Sequence, residues 1–505
     1  MDKAILYGSY LIMAIYSLSL IIILFYALAQ LNLLVNYLKA QKNKKHGPQF
    51  DLNNPSEVPY ITIQLPLYNE LYVVERLLDN IALIDYPKDK LEIQVLDDST
   101  DESVESNAAH IKKLQATGLD ISHIRRENRE GFKAGALKEG LKIAKGEFIA
   151  IFDADFLPQK DWLKLTVPHF KDNKIGVVQT RWGHINRNYS LLTKIQAFAL
   201  DAHFTLEQVG RNSKGHFINF NGTAGLWRKE CIYDAGNWEG DTLTEDLDLS
   251  YRAQLKNWKF KYLVEVETPA ELPVVISAAR SQQFRWNKGG AENFQKMFKR
   301  VVKSKELSFK TKFHGVMHLL NSTMFLNVFV VAILSIPMLY IKNYYGHFRS
   351  YFIVMSFFVM STLIFFVCYW FMYRNLNGKG FKNFFNYIGH FFSFFSIAMG
   401  FSLHNSLAVL EGHKGKKSEF VRTPKFNIST LKDSWKDNKY LSKNISKNIV
   451  IEGVLLLYFI FGLASSYLVT VFVGAKEVDF GLVPFHLMLV AGFGFVFYKS
   501  ITSKV

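Results

Sequence analysis

Three compact apolar runs, Tyr60–Pro66, Leu91–Leu96 and Phe148–Phe152, punctuate the polar middle of the chain, each followed by polar residues and a longer helical stretch. Short β-branched runs alternating with helical segments predict parallel strands joined by crossover helices. Outside this region the pattern changes. Ala4 to Leu38 contains no charged residue, and Phe313–Ile341, Ser350–Tyr373, Asn383–Leu410, Gly453–Ala475 and Phe480–Tyr498 contain no acidic or basic side chain. Each is near the roughly 20 residues a helix needs to cross a bilayer. The expected organisation is an anchor over 1–38, a cytosolic α/β domain over 39–275 and amphipathic interfacial helices over 276–312. Two membrane helices follow in 313–373, then a helix over 383–410, a basic loop over 411–448 and two further membrane helices in 449–505.

Charge gives these segments a side. The first run ends in Lys39, Lys42, Lys44 and Lys45 and lacks a signal peptide's short apolar core and small-residue cleavage site, so it reads as a retained anchor with the N-terminus outside. Six crossings would place Glu411–Asn448 outside, yet that loop carries ten Lys/Arg against four Asp/Glu, and basic loops belong inside. Within Asn383–Leu410 the polar residues Asn383, Asn386, His390, Ser393 and His404 fall within about a 100° arc of a helix. An interfacial helix explains both that face and the loop's charge and leaves five spans; polar residues facing a bundle interior are the alternative.

Composition agrees with two populations. The 505 residues are 49% hydrophobic and 21% charged, with a net charge of +16 and a mean hydropathy of +0.05. No base-stacking or base-reading motif accompanies the positive charge, so a nucleic-acid partner is not expected. The basic clusters lie beside the membrane runs, where they mark the cytoplasmic side and attract anionic lipid or a nucleotide diphosphate. Two distant cysteines, Cys231 and Cys368, exclude a disulfide framework and a cysteine-rich zinc site.

In parallel sheets, ligands sit beyond the carboxyl ends of the strands. Neither G-x-G-x-x-G nor G-x-x-x-x-G-K-[ST] occurs, which removes the main support for a dehydrogenase or a P-loop nucleotidase. Acids follow the strands instead: Asp97-Asp98-Ser99 after the second and Asp153-Ala154-Asp155 after the later one. A lone aspartate there is most often a cap or turn residue. Two strand ends with paired carboxylates point to a divalent cation carrying diphosphate oxygens, which relieves their repulsion. A third acidic site, Thr244-Glu245-Asp246, opens a predicted helix, where a dipole role is the plain alternative. Gln282-Gln283-Phe284-Arg285-Trp286 lies on an amphipathic segment that would otherwise read as membrane-facing.

These four motifs, in this order, resemble the signature of processive membrane family 2 glycosyltransferases. The stretches Gln94–Asp101, Lys133–Lys138 and Phe220–Gly225 look most like the plant cellulose synthase-like A and C proteins, which make mannan and glucan backbones, and their bacterial relatives. The resemblance covers residues 58 to 300, and more weakly as far as Lys425. It implies a GT-A fold, a Rossmann-like and mostly parallel sheet, in the cytosolic domain beside an α-helical transmembrane region. Asp97 would contact the donor's nucleoside, with Asp98 in the same pocket. Asp153 and Asp155 would bind diphosphate and a divalent cation, Mg2+ or Mn2+, with Asp155 as direct ligand and Lys133 bridging nearby. Asp246, next to Glu245, would be the catalytic base, and Arg285 would neutralise the departing diphosphate. Trp286, Gln282, Asn221 and Gly222 would meet the acceptor, with Gln282 also among the donor's contacts. Phe420-Val421-Arg422-Thr423-Pro424-Lys425 resembles the gating-loop motif Phe-x-Val-Thr-x-Lys, with Arg422 where that family has Val; Phe420, Thr423 and Lys425 are its candidate contacts.

The resemblance therefore implies an inverting hexosyltransferase that builds a β-linked polysaccharide from UDP-glucose or GDP-mannose and moves it across an inner or plasma membrane. One rival is a non-processive transferase acting on a lipid acceptor; another is a catalytically silent membrane scaffold.

Overall fold

The computed structural model describes residues 2–42, 58–436, 438–441 and 447–502. Lys44 and Lys45 of the first basic cluster, and Asp437 and 442–446 of the basic loop, lie outside them. Seven strands form one sheet: β1 Ile61–Leu67, β2 Leu91–Asp97, β3 Ile121–Ile124, β4 Phe148–Ile151, β5 Ile175–His184, β6 Gly225–Arg228 and β7 Lys259–Ala270. Their order is β3-β2-β1-β4-β6-β5-β7, parallel except for β6, which runs antiparallel to both β4 and β5.

The apolar runs become strands because both faces of the sheet are covered. Phe148, Ala150 and Phe152 pack into one core with Ile63, Leu77 and Trp162, while Ile149 and Ile151 pack into the other with Leu137, Trp227 and Leu249. Successive side chains of β4 thus serve opposite layers, the two-residue period of a strand.

Among the described residues, five helices are long and apolar enough to cross a membrane: Asp2–Lys42, Thr323–Tyr344, the broken Arg349–Ser356 with Val359–Asn377, Lys447–Phe472 and Val483–Thr502. In the first of these, Tyr7, Leu11, Leu18 and Phe25 are exposed, whereas Ala27, Leu33, Leu34 and Tyr37 are buried against the rest of the chain. Apolar side chains exposed along so much of a helix suit lipid rather than water. The run beginning at Phe313 divides. Helix Phe309–Leu319 stands apart because His314 and His318 engage Asn32 and Tyr251, and the apolar helix starts only at Thr323.

The 383–410 run is also two helices, Phe381–Gly400 and Ser402–His413, meeting at 53°, and counting the pair as one span would make six. A side chain on Gly492 would lie 1.8 Å from the Ser396 carbonyl oxygen, so glycine is what lets helix Val483–Thr502 cross this pair so closely.

Candidate active site

Beyond the carboxyl ends of the strands lies a cavity lined by Asp98, Lys133, Asp153, Asp155, Asn221, Gly222, Glu245, Asp246, Gln282, Arg285, Trp286, Phe420, Thr423 and Lys425. Residues from separate motifs meet here because β2 and β4 end on one rim, helix Glu245–Leu255 starts on another, and helix Ile276–Lys303 carries Gln282, Arg285 and Trp286 past both.

Asp97 is the exception. It is buried and does not line the cavity: its carboxylate accepts from His123 Nε2 at 2.8 Å, Asn107 Nδ2 at 3.0 Å and the Ser99 amide at 2.9 Å. Against the cost of burial, these bonds hold it at about 2. Neighbouring side chains at a strand end face opposite ways, so of the pair only Asp98 reaches the cavity. Arg126 grips Asp98 through two bonds, with Nε at 2.9 Å from Oδ1. An Asp-x-Asp spacing carries no such conflict, and both Asp153 and Asp155 line the cavity.

Lysines balance that pair. Lys133 Nζ donates to Asp153 Oδ1 and, at 2.8 Å, to the Gly222 carbonyl; Lys425 Nζ donates to Asp155 Oδ2 at 2.7 Å. Burial opposes the charge on each, yet the nearby carboxylates hold both lysines above their ordinary values. Asp155 Oδ1 is buried with no hydrogen-bond partner, and oxygen donors of this kind suit a hard divalent cation. Among the described residues, three other acids lie closer together, Glu239, Asp241 and Asp248. There the Lys296 ammonium reaches all of them at 2.7 to 2.9 Å, so an internal cation already satisfies that cluster.

Glu245 and Asp246 occupy the first turn of their helix. Burial, with the Glu245 carboxylate beside it, pushes Asp246 up to about 7; burial also raises Glu245. Gly222 explains its own identity: φ is +80°, and a Cβ there would lie 3.4 Å from Asp246 Oδ2 and 3.5 Å from Lys133 Nζ. A side chain would fill the gap between the acid and the ammonium.

The basic loop folds into the same cavity. Arg285 donates to Thr423 Oγ1 at 2.9 Å and lies 4.6 Å over the Phe420 ring, which stacks on Phe132 at 5.7 Å. Buried Lys288 reaches Ser418 and Glu411 and pins the loop's start. Arg422 pairs with Glu70 at 3.1 Å and stacks on Tyr440 at 3.9 Å, contacts unavailable to the valine of the resembling motif. Burial pushes Glu70 up to about 8 despite that partner.

Sequence reasoning missed Glu70, Arg129, His184 and Glu271, all of which line the cavity. The rule that singled out β2 and β4 extends to Glu70, which follows β1; Arg129, His184 and Glu271 lie after or at the ends of β3, β5 and β7, strands that the apolar runs did not mark.

Fold and site together define a GT-A-type α/β domain joined to membrane helices. Residues 59–289 match the family described as Glycosyltransferase like family 2, and this segment is a family 2 glycosyltransferase domain. Over 261 residues the chain is 45% identical to a probable glucomannan 4-beta-mannosyltransferase 11 of Oryza sativa subsp. japonica, covering 51% of this chain and 46% of that protein. It is 41% identical over 285 residues to glucomannan 4-beta-mannosyltransferase 2 of Arabidopsis thaliana, covering 55% and 53%. The chain thus spans about half the length of the curated relatives it matches. A mannosyltransferase from Pyrobaculum calidifontis, solved with GDP-Man and Mn2+, shares the fold with a TM-score of 0.52 at 19% identity, over 80% of this chain and all of that one.

Proposed function

We propose that the chain is an inverting mannosyltransferase that extends a β-linked glycan from GDP-mannose. The observation that carries this reading is the convergence of Asp246, Arg285, Asp153 and Asp155 on one cavity. The curated relatives are named as mannosyltransferases, which favours GDP-mannose over UDP-glucose as donor. In this reading the Asp246 carboxylate takes the proton from an acceptor hydroxyl as its oxygen attacks the anomeric carbon. The bond from that carbon to the diphosphate oxygen breaks on the opposite face, so one displacement inverts the centre. Arg285, Lys133 and Lys425 place positive charge where the leaving diphosphate gains negative charge. Trp286 offers a flat face to the acceptor, with Gln282 one helical turn before it. Asp155 and Asp153 would hold Mg2+ or Mn2+, which supplies further charge neutralisation at the diphosphate.

The test is a panel of labelled nucleotide sugars offered to membranes containing the chain. Incorporation from GDP-mannose into long insoluble product is expected; a single sugar added to lipid, or no incorporation from any donor, would overturn the reading.

The same reading places the catalytic domain in the cytosol, the N-terminus outside an inner or plasma membrane, and Phe381–His413 in the interface. Catalytic-domain side chains touch helix Phe381–Gly400 between Tyr387 and Ile397, which supports this placement. Phe198 meets Tyr387 and Phe394, at ring distances of 6.2 and 5.5 Å, while Leu192 and Ile195 cluster with Ile397 and Phe401 just past its end. Contacts of this kind suit a helix held against the domain at the membrane surface. Cys231 and Cys368 are buried and Ser429 is exposed, so Ser429→Cys provides a reactive thiol. Labelling by an impermeant maleimide is expected only from the cytosolic side of sealed vesicles, and labelling from the outer side would refute the placement.

A further inference from the structure

Helix Leu191–Asp201 continues into a π-helical turn, Ala202–Glu207, a widening that redirects side chains and recurs at functional sites. This turn carries His203 and Glu207, which the reaction above leaves without a task. His203 Nδ1 lies 3.2 Å from Glu207 Oε2, and its Nε2 lies 3.1 Å from Asn221 Oδ1. Asn219 Nδ2 donates to the same Asn221 Oδ1 at 2.7 Å. The ring thus bridges the Glu207 carboxylate on one side and the Asn221 amide oxygen on the other.

Glu207 anchors that ring. Its half-buried carboxylate also accepts from Arg211 at 2.9 Å, and against the effect of desolvation Arg211 and His203 hold it well below the usual range. Its Oε1 accepts from Gln30 Nε2 at 2.9 Å; Gln30 also donates to the Tyr26 hydroxyl at 2.9 Å, which donates to Asn321 at 2.6 Å. Gln30 and Tyr26 belong to the first membrane helix. A continuous polar path thus joins that helix to Asn221 on the cavity wall, one residue from the Gly222 carbonyl that holds Lys133.

We propose that His203 is a positioning residue for the acceptor. Paired with Glu207, it fixes the Asn221 amide with its oxygen held inward, leaving the Nδ2 group, whose one contact here is a long 3.4 Å to the Asn219 carbonyl, to donate to a hydroxyl of the incoming sugar chain. This rests on the acceptor reading of Asn221 given above. It predicts that His203 acts through Asn221 and through nothing else.

The test uses the full chain in membranes, GDP-mannose and soluble β-1,4-linked manno-oligosaccharides. His203→Ala and Asn221→Ala are each expected to raise the acceptor KM about tenfold, the loss of one bond to a charged or strongly polarised group, with the donor KM within about twofold of the unmodified chain. The double variant is expected to be no worse than either single one. Additive losses, or losses in donor KM alone, would overturn the proposal. If His203→Ala does not fold, His203→Gln against His203→Asn carries the same test, since only the longer amide reaches Asn221 and is expected to restore the acceptor KM. Absence of transfer by the unmodified chain would instead sink the functional reading and this proposal with it, an outcome distinct from additive losses in an active protein.

Discussion

Replacing Asp246 with asparagine is expected to lower mannosyl transfer by about 10³-fold, the usual contribution of a positioned base, while the protein gains stability. Both effects come from one cause. Burial and the adjacent Glu245 carboxylate raise Asp246 from 3.8 to about 7, so its proton affinity is close to that of a base working near neutral pH. In the unmodified chain, kcat/KM is expected to fall about tenfold per unit as pH drops below 7 and Asp246 takes up its proton. The stability sign runs the other way. Between about 4 and 7 the folded state binds more protons at this site than the unfolded state does, so stability declines as pH rises through that window. Asparagine carries no charge to bury, and at pH 8 the variant is expected to melt at a higher temperature in detergent than the unmodified chain. Retained transfer would remove Asp246 as the base, and a lower melting temperature would mean that its carboxylate supports the fold.

How much of this was legible in the sequence depends on how local each signal is. The runs at Tyr60, Leu91 and Phe148 became β1, β2 and β4 within a residue at either end, because strands buried on both faces leave unbroken apolar text. Strand β6 left no comparable trace. Its four residues, Gly225–Arg228, are specified by partners far away in the chain, with Trp227 opposite Ile149 on one side and Val177 on the other. The motif acids were visible as letters, but their directions were not. Asp97 and Asp98 read as equals until strand geometry turned one toward Asn107 and His123 and the other toward the cavity. Arg422 stood out only as a departure from a resembling motif, and its role depends on Glu70, which lies 352 positions earlier. Pairings that close across such distances are set by the folded domain, and local periodicity does not record them.

Asp155 is where the second large effect is expected, and the lysine beside it makes the outcome discriminating. Asp155→Asn should reduce transfer on the order of 10³-fold, several kcal/mol of lost transition-state stabilisation at the diphosphate, and no concentration of Mn2+ or Mg2+ should restore it. Lys425→Ala should behave differently. The Lys425 ammonium lies 2.7 Å from Asp155 Oδ2 and neutralises a carboxylate that a divalent cation would engage. Removing it takes away a competitor, so the Mn2+ concentration giving half-maximal transfer should fall about tenfold, as expected for loss of one charge-assisted bond. Maximal transfer should fall as well, because Lys425 also supplies charge to the leaving diphosphate. A titration of Mn2+ against initial rate in the two variants separates these effects. If Lys425→Ala left the Mn2+ midpoint unchanged, the lysine would not be competing for the cation's place on Asp155. If chelator left the unmodified chain active, the assignment of Asp155 and Asp153 to a cation would fail, and their pairing with Lys425 and Lys133 would be the whole of their chemistry.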